Sequence, residues 1–343
     1  MRAVVYRGAN DLRVETVPVP RIGPNELLVK VAVCGVCPTD IKKIHFGTVP
    51  PPRIFGHETA GTIVRAGKRV TKFKIGERVA LHHHVPCLKC HACRHRAFAQ
   101  CDTYKQTGIT AGFEPAGGGY AEYVRVMPFV LPGVIRIPAR NSFLEGAMLE
   151  PVNTVLKAVK RLRLLRGDTV LVAGQGPIGL MFTRLLALHG MKVLATDLLD
   201  SRLKLARDFG ARWTLKAPDA SSNNPPARYF DAAIVAVPSD DVVRQAQDAV
   251  RGGGQVLLFS HTRRGQRTGL DLATICVDEK DLLGSYSADF LLQSEAARLV
   301  FSRRLDTRRL ITNQFPLEQT AAAIALASHP TAVSLKVVVS QAS

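Results

Sequence analysis

Along the first part of the chain, apolar residues come in short runs that alternate with polar ones and are closed by Gly or Pro. Residues 3–6, 27–34, 59–66, 78–81, 120–126 and 134–137 read as strands on this pattern. Turn-forming stretches separate them, such as Ile22-Gly23-Pro24-Asn25, Pro50-Pro51-Pro52 and Ala116-Gly117-Gly118-Gly119. The pattern predicts an all-β, barrel-like region up to about residue 140. Near Asn141 the period changes. Over residues 142–165, Phe143, Ala147, Met148, Val152, Val155, Leu156, Val159 and Leu162 recur at helical spacing until Gly167-Asp168. Strands and helices then alternate. Strands are predicted at 169–173, 192–196, 231–237, 255–259 and 281–284, with a weaker one at 213–215. Helices fit at 178–189, 201–209 and 241–250, and residues 218–228 read as a surface loop. Such alternation predicts a parallel, doubly wound sheet, so the fold class is α/β plus all-β. Beyond about Tyr286 two helical patterns (291–301, 317–327) and a closing strand (334–339) remain, and on pattern alone this tail fits either domain.

Composition narrows this picture little. A chain of 343 residues can hold two domains, each with its own core. A hydrophobic fraction of 46% and a charged fraction of 22% are ordinary for a globular protein. No apolar run reaches the length of a membrane span, and the strand-like N-terminus lacks a signal peptide's apolar stretch. The expectation is a soluble, cytoplasmic protein without a membrane partner. The net charge of +18 raises the question of nucleic acid or anionic cofactors. The basic residues are scattered, with small groups at Lys157, Lys160, Arg161, Arg163, Arg166 and at Arg303, Arg304, Arg308, Arg309, neither interleaved with stacking aromatics. Solvated surface is the preferred reading, and no nucleic-acid partner is expected.

Three stretches carry chemistry. Between a strand and a helix lies Gly174-Gln175-Gly176-Pro177-Ile178-Gly179, the context a dinucleotide-binding GxGxxG requires. Gly174 permits the tight turn, Gly176 lets backbone approach a pyrophosphate, and Gly179 allows close helix packing. Pro177 suits the first helical turn, where the free N–H groups of a helix start bind phosphate. Asp197 ends the next strand, where a carboxylate accepts hydrogen bonds from ribose hydroxyls and repels a 2′-phosphate. This favours NAD over NADP, although Arg202 nearby could serve a phosphate. The second stretch, Cys87, Cys90, Cys93 and Cys101, offers four thiolates separated by two, two and seven residues. That spacing predicts a closed structural zinc site with no open position; an iron–sulfur cluster or a nucleic-acid zinc module is the weaker alternative. His82, His83, His84 and His91 nearby read as strand-end and surface histidines. The third is Gly56-His57-Glu58, following Cys34-Gly35-Val36-Cys37-Pro38-Thr39-Asp40. A thiolate, an imidazole and a carboxylate are ligand types that catalytic zinc prefers.

With these residues in hand, the chain resembles the zinc-dependent medium-chain alcohol dehydrogenases, in particular the sorbitol/polyol and threonine dehydrogenase branch. The likeness spans essentially the whole chain. It adds Gly119-Tyr120-Ala121-Glu122-Tyr123, Leu149-Glu150-Pro151 and Leu335-Lys336-Val337-Val338 to the motifs above. It implies a GroES-like catalytic domain over 1–152, with the zinc lobe at about 82–105, and a Rossmann domain over 153–288. Residues 289–343 would return to the catalytic domain. It also implies Cys37 and His57 as ligands of a catalytic zinc, with Glu150 at the third position and Glu58 a neighbour able to ligate. Two zinc ions per chain follow. Cys34 would be a small buried hydrophobe, Thr39 the hydroxyl that begins a proton relay, and Asp40 its support. Pro38 replaces a usual glycine, and Lys42 stands where many relatives end the relay with a histidine; His45 is a candidate substitute.

The implied reaction moves a hydride from a secondary alcohol, a polyol or sugar alcohol, to NAD. An amino alcohol such as threonine is the rival substrate, and Phe46, Phe113, Asn153 and Tyr286 are candidate pocket residues. A zinc-containing nucleic-acid-binding or regulatory protein that kept the fold is the rival of another class. A homodimer or homotetramer is expected.

Overall fold

In the computed structural model, which describes residues 1–82, 85–103, 117–217, 229–260 and 265–341, the chain divides into two units. One comprises Met1–Asn153 with Ser287–Ser343, the other Thr154–Tyr286. The first unit begins with β1 (Arg2–Gly8), paired antiparallel with β2 (Asp11–Thr16). Next comes β3 (Leu27–Gly35), whose alternation serves two buried clusters. Leu27, Val29 and Val31 pack with Ile63, Val79 and Val126, whereas Cys34 and Val36 pack with Val4, Ile44 and Phe55. Helix α1 (Pro38–Phe46) follows, started by Pro38 at a position that needs no N–H and stopped by Gly47 at φ 60°. The short β4 (Arg53–Ile54) joins β1, and β5 (Glu58–Ala66) lies antiparallel to β3.

The sheet continues through β6 (Arg78–Leu81), the one-turn α2 (His91–Arg94), β7 (Tyr123–Val126) and β8 (Ile135–Arg136). Strands β7 and β8 are shorter than the pattern predicts; upstream of β7, Ala121 makes only an isolated bridge to Ala3. The helical stretch from Ser142 is two helices, α3 (Phe143–Ala147) and α4 (Leu149–Val159). A reciprocal cap starts α3: the Glu145 N–H donates to Ser142 Oγ at 3.2 Å and the Ser142 N–H to Glu145 at 2.7 Å. Such a cap is worth about 1 kcal/mol. α4 stops before Leu165 because the Arg161 and Leu162 N–H groups turn to carbonyls only three residues back.

The second unit holds β9 (Thr169–Ala173), α5 (Pro177–Leu188), β10 (Lys192–Asp197), α6 (Asp200–Asp208), β11 (Trp213–Lys216) and β12 (Phe230–Val235). Then come α7 (Asp240–Ala249), β13 (Val250–Leu258), α8 (Leu272–Val277) and β14 (Asp281–Gly284). All six strands are parallel, in the order β11-β10-β9-β12-β13-β14. The order reverses between β9 and β12, the switch point outside whose carboxyl ends doubly wound sheets bind ligands. β13 starts directly at the end of α7, well before the predicted 255. Gly252, Gly253 and Gly254 lie inside the strand, where a register shift opposite Phe230 accommodates them. The predicted loop 218–228 falls outside the described residues.

After the second unit the chain forms α9 (Gln293–Phe301), β15 (Ile311–Pro316), α10 (Thr320–Ser328) and β16 (Lys336–Ser340). β16 pairs antiparallel with the end of β3, Val338 opposite Gly35, and parallel with β15. The tail therefore belongs to the first unit. The GroES-like and Rossmann-like character expected of the two units holds. Among the described residues no helix is long and apolar enough to cross a membrane.

Candidate functional site

Strand register brings the metal-ligating types together. In the β3–β5 pair Gly35 lies opposite Glu58, so the chain just past β3 and the residue just before β5 are neighbours. Those residues are Cys37 and His57. Ligand atoms of Cys37, His57 and Glu58 all lie within 4.8 Å of one another. Cys37 caps α1, its sulfur accepting the Thr39 N–H at 3.5 Å. His57 is buried, and its Nδ1 lies 3.1 Å from Oδ1 of the wholly buried Asp40. With Nδ1 so engaged, a metal would take Nε2. Burial opposes charge on His57, but Asp40 and Cys37 outweigh it and hold the imidazole well above its ordinary pKa. Glu58 forms an ion pair with Lys336, whose Nζ also donates to the Val36 carbonyl at 2.9 Å. Burial disfavours the Lys336 ammonium, yet Glu58 and Cys37 raise its pKa overall. Gly35 is required here, because a Cβ would come within 1.8 Å of Glu58 Oε2.

Glu150, in the first turn of α4, is buried but stands outside the close group of three. Burial, with Glu58 and Asp40 adding to it, pushes its carboxyl up to about 7 against the pull of His57 and Lys336. Thr39 and Lys42 are half-buried on α1, and burial draws the Lys42 ammonium below its usual range. His45 is not placed as a relay: its ring bridges Asn10 and Ser328 at the exposed end of α1. Asn153 is not a pocket residue either. It is fully buried, with its amide bound at both ends to Asp289 and Gln293. Phe46 and Tyr286 are exposed, and Phe113 lies outside the described residues.

Cys34 is wholly buried, its thiol pushed up to about 12 by burial, and its sulfur accepts the Thr59 hydroxyl at 3.4 Å. It behaves as a small core residue. His82 differs from the surface reading: it is completely buried, and burial pushes its pKa down to about 3. His91 is exposed, while His83 and His84 lie outside the described residues.

The four cysteines of the lobe also meet, with all four sulfurs within 4.8 Å of one another. Cys93 and Cys101 are buried, Cys87 and Cys90 half-buried. Backbone N–H groups of Lys89 and Cys90 bring Cys87 down to about 6. Burial, with the Cys90 contact adding to it, pushes Cys93 up to about 12. Four sulfurs gathered at one point form a donor set that fits zinc.

In the second unit the glycine loop leaves β9 at the switch point. Gly174 takes φ 92°, and a Cβ on Gly179 would meet the Gly174 carbonyl at 1.7 Å. Gly176, the N-cap of α5, has open space where its Cβ would stand and supplies no side-chain cap. Pro177 opens the helix and Ile178 follows it, so the helix start is bare backbone, suited to phosphate. Asp197 ends β10 and is buried. Its carboxylate accepts the Gln175 N–H at 2.7 Å and the Leu199 N–H at 3.0 Å, with Arg202 Nη1 at 3.9 Å. Of roughly four acceptor positions, one is thus used in fixing the glycine loop and one in the turn after β10. Gln175 stiffens it further, donating to the Val172 carbonyl and accepting from Thr183, both at 2.9 Å.

Lys336 and Gln175 were not among the residues expected at the sites. A lysine inside the apolar run Lys336-Val337-Val338-Val339 is the signal that could have found the first, since a buried ammonium needs a partner. Nothing local in the sequence marks the second.

Two family models match the chain: an alcohol dehydrogenase GroES-like domain over residues 23–138 and a zinc-binding dehydrogenase domain over residues 177–302. D-arabinitol dehydrogenase 1 of Uromyces fabae is 30% identical over 334 residues, covering 93% of this chain and 91% of the fungal one. Sorbitol dehydrogenase of Bacillus subtilis (strain 168) is 29% identical over 333 residues, covering 93% and 91%. Among solved structures, a protein of Sinorhizobium meliloti 1021 described as a zinc-binding dehydrogenase and bound to NADP superposes with a TM-score of 0.88. It is 29% identical, with 99% of this chain and 98% of that one covered.

Proposed function

This chain belongs to the zinc-dependent medium-chain alcohol dehydrogenases, and from that premise we propose that it oxidises a secondary alcohol of the polyol class with NAD. The observation that carries the proposal is the meeting of Cys37, His57 and Glu58 at the β3–β5 register. The donor set fits a catalytic zinc: one thiolate, one imidazole with its other nitrogen held by Asp40, and a carboxylate. Cys37, His57 and Glu58 would hold the ion, with Glu150 the second carboxyl of the same site. The four-cysteine lobe would hold a second, structural zinc.

Bound there, zinc supplies a Lewis acid that lowers the pKa of the alcohol oxygen, and NAD supplies the hydride acceptor. The alcohol carbon gives up a hydride with its bonding pair and the oxygen gives up a proton, leaving a ketone. The chain's own residues orient and neutralise. Asp40 fixes the His57 ring, and Lys336 balances Glu58. The Thr39 hydroxyl is the proposed first acceptor of the proton, and Glu150, already close to neutral pH, can hold a proton at its carboxyl. The Gly174 to Gly179 loop and the start of α5 take the pyrophosphate. Asp197 favours NAD by meeting the ribose hydroxyls, with Arg202 beside it.

Absorbance of reduced nicotinamide, followed with polyols, simple secondary alcohols and threonine and with NAD or NADP, tests this reading directly. Polyols with NAD should give the highest kcat/KM. A threonine optimum would overturn the substrate class, and the absence of turnover by protein with its full zinc content would overturn the reaction. Asp197→Ser should shift the NAD/NADP preference towards NADP by about 10-fold or more, the worth of one or two hydrogen bonds to a charged group. An unchanged ratio removes Asp197 from the cofactor reading. The active species proposed is a cytoplasmic homodimer or homotetramer, which sedimentation of the purified protein would resolve.

A further inference from the structure

Asn153 is wholly buried, and the reaction as proposed makes no use of it. Its amide is spent on one short segment. Nδ2 donates to the Asp289 carbonyl at 2.9 Å and to Gln293 Oε1 at 2.9 Å, while Oδ1 accepts the Asp289 N–H at 2.9 Å. A side-chain amide paired with both main-chain groups of one residue locks its helix in rotation and along its axis. An apolar side chain could fill the same volume without doing so. Glu150 lies one turn earlier on α4, at the spacing that makes two helical residues neighbours.

The same segment touches the cysteine lobe. Asp289 Oδ1 accepts the Leu291 N–H at 2.9 Å, forming the turn that carries Phe290. The Phe290 ring meets Phe98 edge-on, with centroids 5.8 Å apart and planes at 74°. Phe98 lies between Cys93 and Cys101 in the sequence and packs on the cluster of the lobe's sulfurs.

We propose that Asn153 is a positioning residue that ties the four-cysteine lobe, through Phe98, Phe290 and Asp289, to the placement of Glu150 at the Cys37 site. The proposal rests on the reading of Glu150 as part of that site. In it, the structural metal acts at a distance on the catalytic one, because the lobe's shape decides where Phe290 sits and hence where α4 is held.

The test uses the full-length protein with cobalt in place of zinc, so that visible absorption reports the surroundings of the ion and a chelator reports its release. The Cys37-site band is defined as the part lost in Cys37→Ser. Asn153→Ala should shift that band and speed metal release from the site by about 10-fold, the usual effect of losing a residue that supports a ligand. Phe290→Leu should do the same to a smaller extent, with the lobe's own cobalt bands retained. In a Glu150→Gln background Asn153→Ala should add almost nothing, since the effect passes through Glu150. Effects of equal size in both backgrounds, or a band that neither variant moves, would overturn the coupling. Should Asn153→Ala fail to fold, Phe290→Leu, which keeps every amide bond, decides by the same criterion. If instead no band in the parent protein depends on Cys37, the site reading itself falls.

Discussion

The four-cysteine lobe takes all its ligands from one short loop between Cys87 and Cys101, whereas the Cys37 site gathers residues from the ends of two strands, a helix and the last strand of the chain. Among the described residues the lobe has little else to hold it: a one-turn helix, backbone in the left-handed region at Leu88 and Arg96, and few apolar side chains beyond Phe98. A metal bound there would take the place of a core. At the Cys37 site the reverse holds. The β3–β5 register, the buried Cys34, Val36 and Phe55, and the Asp40–His57 and Lys336–Glu58 pairs all help to hold its residues in place. The two sites share a unit and a ligand chemistry, yet the first would be built by a metal and the second is built to receive one.

The sharpest way to break this contrast is to remove one thiolate from each. Structural zinc contributes on the order of 10 kcal/mol to small domains, comparable to the whole stability of a folded chain. Cys90→Ser should therefore yield protein that lacks the lobe's zinc, is cut by proteases within residues 85–103, and aggregates. Cys37→Ser should fold with a melting temperature close to the parent and retain one zinc per chain. Its kcat/KM should fall roughly a thousandfold or more, since several kcal/mol of Lewis-acid stabilisation are lost. Elemental analysis beside thermal melts distinguishes them. Equal loss of folding in both variants would mean the Cys37 site, too, is built by its metal.

The same contrast explains what the sequence disclosed. The lobe was legible because all its information is local, four cysteines at fixed spacing. So was the glycine loop, since strand, turn and helix are contiguous there. The Cys37 site was legible in part: Cys37, His57 and Glu58 show zinc-binding chemistry near one another in sequence, but nothing local states that Gly35 will face Glu58 across a sheet. Resemblance placed Glu150 at the third ligand position with Glu58 a neighbour able to ligate, and geometry groups Glu58 with Cys37 and His57. Lys336 went unassigned because its partner lies at the far end of the chain. Asn153 was misread as a pocket residue for the same reason, as its partners Asp289 and Gln293 come from beyond the second unit. Helix α1 was overlooked because nine residues beginning Pro-Thr-Asp carry a weak apolar stripe, and only the Cys37 and Gly47 caps delimit it.

A smaller effect is expected from Asp40→Asn. The amide keeps the size of the carboxylate but can present its NH2 rather than an oxygen to His57, removing the charge that orients the ring. Activity should drop by about 10- to 100-fold, the range for residues that support a metal-binding histidine. The lobe's zinc should be untouched. A comparable loss of lobe zinc would show that Asp40 supports the fold around both sites rather than the His57 ring alone.

The smallest effect should come from Cys34→Ala, and it asks whether one cysteine or two of Cys34-Gly35-Val36-Cys37 serve the metal. The Cys34 sulfur is wedged against backbone: a Cβ on Gly56 would lie 2.8 Å from it and one on Gly119 2.6 Å. Its neighbours are therefore fixed, and deleting the sulfur leaves a small cavity and an unpaired Thr59 hydroxyl. Each of these costs about 1 kcal/mol, so the variant should melt a few degrees lower. Cys34→Val should be worse than alanine, because the extra methyl has only glycine backbone to press on. Both variants should keep full zinc and, for the alanine, a kcat within about twofold of the parent, the small change expected when only packing is altered. Loss of zinc in Cys34→Ala with little change in melting would move Cys34 from the core to the ligand set. The Cys37 site would then hold its metal as the lobe does, by paired thiolates.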